Sequence, residues 1–150
     1  MKNVFDPLVC SQLIGRIENL SPESNPVWGK MNAAQMLAHC CVTYEFIFEN
    51  KHRKPNRFKK LLLKTFVKKY VVSSIPYKVN SRTAPEFIIA DEKDFQNEKE
   101  RLINFIKKVQ ELGPSYFENR ESFSFGKLTI RQWNNMFYKH LDHHLHQFSV

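Results

Sequence analysis

Three kinds of sequence feature are scarce or missing in this 150-residue chain, and each absence narrows what it can be. No apolar run approaches the ~18 residues that a membrane-spanning helix needs, and the start, Met1 to Pro7, has no apolar core of a secretion signal. Membrane spanning and secretion are therefore not indicated. Cysteine is represented three times, twice as the neighbours Cys40-Cys41. Adjacent side chains on a helix diverge by about 100° and cannot bridge without breaking it. A disulfide framework is excluded, and a reduced, cytoplasmic setting is expected. Glycine occurs four times, and helical signals dominate.

Acidic residues are absent between Glu49 and Glu86, a gap that decides how the formal charge of +8 is read. Lys51, Arg53, Lys54, Arg57, Lys59, Lys60, Lys64, Lys68, Lys69, Lys78 and Arg82 fall inside it. Removing those eleven charges from +8 leaves the remainder at −3. The chain is thus a mildly acidic domain carrying one basic insert, and nucleic acid is not the expected partner.

The length suits a single domain, residues 1–150, with a core that needs no metal or disulfide to fold. A first helix opens at Asp6-Pro7, carries Leu8, Leu13, Ile14 and Ile17 inward and runs to Leu20, where Ser21 to Pro26 breaks it. A second follows Trp28-Gly29-Lys30-Met31, with Asn32 and Gln35 forming a capping box. His39 lies among its apolar residues, in register with Met36 and Phe46. Residues 56–72 read as a shorter basic helix, with Phe58, Leu62 and Phe66 as its stripe, Leu61, Leu63, Val67 and Tyr70 beside them, and lysines on the other face. An extended connector spans 73–85, and a long helix from about Asp91 to Leu112 stops at Gly113-Pro114. The segment 115–128, with Phe117, Phe123 and Phe125, reads as a loop over one end of the core. The last helix starts at Thr129, with Gln132 completing a second capping box. The fold class is all-α: four principal helices and one additional short basic helix between helices two and three.

The last helix holds four of the six histidines within seven residues, at His140, His143, His144 and His146. His140 and His144, four apart, leave one helix face one turn apart and can grip a single metal ion. They continue the seam of Ile130, Trp133 and Phe137, where the pattern calls for apolar groups. A buried imidazole without a partner costs about 1–3 kcal/mol, so such a pair requires hydrogen bonds or a metal. Leu141 stands where a zinc-protease His-Glu-x-x-His motif would need glutamate, which excludes that mechanism.

The stretches Trp28-Gly29-Lys30-Met31-Asn32-Ala33-Ala34-Gln35-Met36-Leu37-Ala38-His39, Phe125-Gly126-Lys127-Leu128-Thr129, and Tyr138 to Phe148 together with Trp133 carry a resemblance to the DinB-like superfamily of metal-binding four-helix bundles, specifically to one of its uncharacterised families. The resemblance covers nearly the whole chain. It implies a divalent metal, zinc or nickel, held by His39 on the second helix and by His140 and His144 on the last. Some members of that superfamily transfer or isomerise substrates using low-molecular-weight thiols, which implies a small-molecule thiol and an electrophilic substrate as partners.

Three neutral imidazoles leave an ion its full charge and at least one open position, as in catalytic rather than structural zinc sites. A thiol or water there would lose its proton near neutral pH, since zinc can bring bound water to a pKa of about 7. Cys40 and Cys41 turn away from the side that His39 faces. His143 and His146 fit supporting or solvent-facing roles, while Gln147, three beyond His144, lies on the metal side. Glu45 and Asp142 lie on different helical faces from their neighbouring histidines, and no catalytic base is assigned. The expected function is a metal-dependent enzyme of S-transferase or hydrolase type. The alternative is a non-enzymatic binding or sensor protein that uses the basic helix 56–72 for an acidic partner. The apolar surplus on the second helix would permit a homodimer.

Overall fold

The computed structural model describes residues 1–150 and is predominantly helical. Helix α1 (Pro7–Glu18) is capped by Asp6, whose carboxylate accepts from the Leu8 N–H. Cys10, Leu13 and Ile17 form its buried face. Leu8 does not join them: it is 67% exposed, because it stands about 200° around the helix from Cys10. The helix ends at Glu18, and Leu20 reaches the core from the turn that follows.

Helix α2 (Ala33–Phe48) has the capping box of Asn32 and Gln35. It is buried almost all round, from Ala33 through Glu45, as a helix apolar on every side must be. Its apolar surplus is therefore covered within the chain, by the long helix Phe95–Phe117, by the last helix Ile130–Gln147 and by the irregular segments around Phe87 and Phe123.

The basic segment forms α3 (Arg57–Leu62) and α4 (Lys68–Val72), joined by a π-helical turn at Leu63–Val67. Leu63, Val67 and Val71 pack on the core and Val72 is buried in it, whereas Phe58, Leu62 and Phe66, the stripe read from the sequence, face solvent. Two apolar arcs compete on this helix, and the β-branched and smaller residues occupy the inner one. Helix α6 (Ile130–Gln147) fastens the end of α4. Lys139 Nζ donates to the carbonyls of Tyr70 at 2.7 Å and Ser73 at 2.8 Å, and Asn135 Nδ2 donates to that of Val72 at 3.0 Å. These side chains satisfy carbonyls that the helix terminus leaves free.

The connector 73–84 is irregular, as expected, and ends in a 3-10 turn at Pro85–Phe87. Helix α5 (Phe95–Phe117) is capped by Asp94, slightly later than Asp91. Gly113, at φ +66°, interrupts it as the sequence predicts, and Pro114 starts one further turn that carries Phe117 into full burial. The segment expected as a plain loop contains a small antiparallel hairpin, β1 (Glu121–Ser122) with β2 (Gly126–Lys127). Ser122 Oγ closes it by accepting from the Phe125 N–H and donating to the Gly126 carbonyl. The Thr129–Gln132 capping box then launches α6.

Between the long helices, Tyr44 lies parallel to Phe137 and Phe105 at ring separations of 5.3 and 5.5 Å, and Trp133 and Phe117 complete the stack. This aromatic block fixes α6 against α2. Its next turns along the Trp133–Phe137 seam present His140 and His144 to the same face of α2. No helix is long and apolar enough to cross a membrane.

Candidate metal centre

His39 of α2 and His140 and His144 of α6 come together, with one ring nitrogen from each lying within 4.8 Å of the others. His39 is 3% exposed and His144 8%, while His140 faces a cavity between the helices. The pairing joins positions 101 residues apart, at 3.1 Å between His39 Nε2 and His140 Nε2.

The other nitrogen of each ring is anchored. His39 Nδ1 donates to the Phe87 carbonyl at 2.8 Å. A carbonyl only accepts, so this nitrogen bears the proton and Nε2 is left bare in the neutral ring. His144 Nδ1 donates to Gln147 Oε1 at 2.8 Å, and Gln147 Nε2 donates to the Trp28 carbonyl at 2.7 Å, which fixes the orientation of the amide. His140 Nδ1 lies 3.0 Å from Thr43 Oγ1, one helical turn beyond His39. With Thr43 accepting, all three Nε2 atoms are bare, and those of His39 and His140 face each other. In that tautomer the two lone pairs oppose each other at 3.1 Å, an arrangement that a cation between them stabilises; with Thr43 donating instead, His140 Nε2–H donates to His39 Nε2. Two ligands at zinc–nitrogen distances of about 2.0–2.1 Å in a tetrahedral shell stand about 3.3 Å apart, so the spacing fits such an ion.

Burial holds these rings in the neutral form, the one that could ligate a metal. It lowers the pKa of His39, moves that of His140 well below the usual histidine range, and brings His144 down to about 3; neighbouring imidazoles add to the effect at all three.

The cluster borders a cavity of about 890 Å³. Trp28, Phe46, Phe87, Phe123 and Tyr77 supply much of its wall. Glu86 is the sole carboxylate on the lining, and Lys59 engages it at 2.6 Å. The lining therefore combines apolar walls, four imidazoles (the three of the cluster and His143) and no free acid.

Other side chains sort as follows. His143 lines the cavity between Trp28 and Tyr77, with ring separations of 5.7 and 5.6 Å, and makes no hydrogen bond within the protein. His146 faces solvent and donates from Nδ1 to the Asp142 carbonyl. Glu45 is held by Arg101 and His52, and Asp142 by Arg16, which removes both from the site. Cys40 and Cys41 are buried away from the imidazoles, with Cys40 Sγ against Met36 Sδ and Cys41 Sγ against the Glu98 carbonyl. Sequence reasoning missed Thr43 and the Phe87 carbonyl. The signal for Thr43 is its i, i+4 relation to His39; Phe87 enters from an irregular connector that has no periodicity to read.

A mainly helical fold with a buried three-histidine cluster beside an apolar cavity is compatible with a metal-binding protein. The chain belongs to the family described as "Protein of unknown function (DUF1569)", which it matches over residues 10–150, a span that includes all three histidines. No curated protein and no solved structure matches it.

Proposed function

We propose that the chain is a metal-dependent enzyme of the DinB-like type, a four-helix bundle in which His39, His140 and His144 hold a divalent ion, zinc or nickel, for the attack of a thiol or water on a small electrophilic substrate. The observation that carries this reading is the convergence of three Nδ1-anchored imidazoles on the wall of an open apolar cavity. When bound, the ion would lower the pKa of a thiol or water at the site and polarise a substrate oxygen. The chain's own groups do the rest. Phe87, Thr43 and Gln147 fix the ring orientations, as partners behind metal-binding histidines do. Trp28, Phe46, Phe87 and Phe123 exclude water and give an apolar substrate its contact surface. His143, with unengaged ring nitrogens, offers a hydrogen bond to a polar group of that substrate. The absence of a free carboxylate on the lining favours the thiol over water, because a thiol coordinated to a metal needs no separate base.

Elemental analysis of purified protein tests the reading together with a thiol-conjugation screen. About one metal ion per chain is expected, lost in His39→Ala and His144→Ala and retained in His146→Ala, whose ring is exposed. Thiol-consuming activity should vanish with the metal. Activity that survives in metal-free protein, or wild-type protein that takes up no zinc or nickel on reconstitution, defeats the assignment.

A further inference from the structure

Helix α3 and the π turn after it leave their bulkiest apolar side chains in solvent. Phe58 is 70% exposed, Leu61 60%, Leu62 41% and Phe66 74%. At about 100° per residue these positions share an arc of roughly 140°. Leu63, Val67 and Val71, around the other side, are already packed on the core. The outer arc therefore has no partner within the chain.

Charge supplies the second observation. Arg53, Lys54, Arg57, Lys64, Lys69, Lys78 and Arg82 are exposed, and none is in an ion pair. The carboxylates that reach α3, Glu86 and Glu121, are engaged by Lys59 and Lys60 at 2.6 and 2.9 Å. The surface around the apolar arc is thus uncompensated positive charge, and Arg57 and Lys64 border the arc along one side.

We propose that this face docks on the surface of an anionic lipid bilayer. Phe58, Leu61, Leu62 and Phe66 enter the boundary between headgroups and acyl chains, while the flanking cations meet lipid phosphates. An amphipathic helix with aromatic and leucine residues on one face and lysine and arginine beside them lies in the plane of such an interface. Nucleic acid fits less well: leucine has no π face for a base to stack on, and a phosphate track would place cations, not aliphatic groups, at its centre. A second copy of this chain would bring the same unpaired cations face to face. Lys59, Leu63, Val67 and Tyr70 of the same segment also line the cavity, so the docking segment is at the same time one of its walls. The docking itself does not rest on the metal reading.

The test is co-sedimentation of the full chain with vesicles of phosphatidylcholine alone or with about 30% phosphatidylserine, in about 0.1 M salt. Binding to the anionic vesicles is expected, and should be at least about tenfold weaker on the neutral ones. The double variant Phe58→Ser/Phe66→Ser, which keeps every cation, should lose at least about tenfold in affinity. Arg57→Glu/Lys64→Glu should lose a similar factor. Because these side chains are exposed, the circular dichroism of both variants should match the parent. In a separate Phe58→Trp variant, fluorescence should shift to the blue when anionic vesicles are added. Four outcomes overturn the proposal: no binding to anionic vesicles, binding indifferent to the Phe58/Phe66 change, a solution dimer that this change dissolves, or tighter binding to an oligonucleotide than to the vesicles.

Discussion

At Gly29 the backbone adopts φ +84°, and a Cβ there would stand 2.7 Å from Gln147 Nε2. A glutamine side-chain end normally moves aside at little cost. Here it is held at both atoms, Oε1 by His144 and Nε2 by the Trp28 carbonyl, and the backbone carbonyl of the same residue accepts from the Val27 N–H at 2.8 Å. Gly29→Ala should therefore disturb the anchor of His144 while leaving all three histidines in place. A loss of about 10- to 100-fold in metal affinity is expected, the range seen when a partner behind a ligand is removed, with about 1–2 kcal/mol of stability lost to the left-handed backbone. Zinc titration of the variant against the parent checks it; unchanged affinity would show that Gln147 does not hold the ring. Gln147 could be placed beside the site from its spacing to His144. Its contact with Trp28, and hence the reason for a glycine at 29, could not, because it depends on how the chain before α2 crosses the end of α6.

The clearest sequence signals for the helices are local. Asn32 with Gln35 and Thr129 with Gln132 mark two helix starts, and Gly113 marks a stop, because each acts through hydrogen bonds or backbone geometry within a few residues. The faces of α1 and α3 were less legible. Periodicity shows that Leu8 or Phe58 belongs to an apolar set, but not which of two such sets meets the core. The end of α4 is legible in neither way, since its carbonyls are satisfied from α6. Lys139 is buried there with no carboxylate beside it, and desolvation brings its ammonium down to about 8. Lys139→Met keeps the bulk and removes the donor. It should cost about 1–3 kcal/mol, the penalty for leaving carbonyls unsatisfied. Faster amide exchange confined to α4 would locate the effect, while an unaltered exchange pattern would mean that Lys139 does not fasten that helix.

Over the whole molecule, the histidines are contributed from opposite ends of the chain, and the aromatic stack of Tyr44, Phe137 and Trp133 brings their helices into register. His140 and His144 were readable as a pair because they interrupt an apolar seam, whereas His39 joined them only through the resemblance carried by the stretch Trp28 to His39. The cavity was not readable, since its walls come from segments whose only common property is where the fold leaves them. The three cysteines show the converse arrangement. Cys10, Cys40 and Cys41 are all buried, and burial pushes each thiol up, Cys40 and Cys41 furthest. Almost none of their sulfur is thiolate at neutral pH, and none lies on the lining of the cavity. A disulfide reagent should find no reactive thiol in the native chain and all three after denaturation; rapid labelling of native protein would contradict this. In this chain all three thiols are kept out of reach of solvent, so an electrophile reaching the cavity would meet imidazoles there and no sulfhydryl.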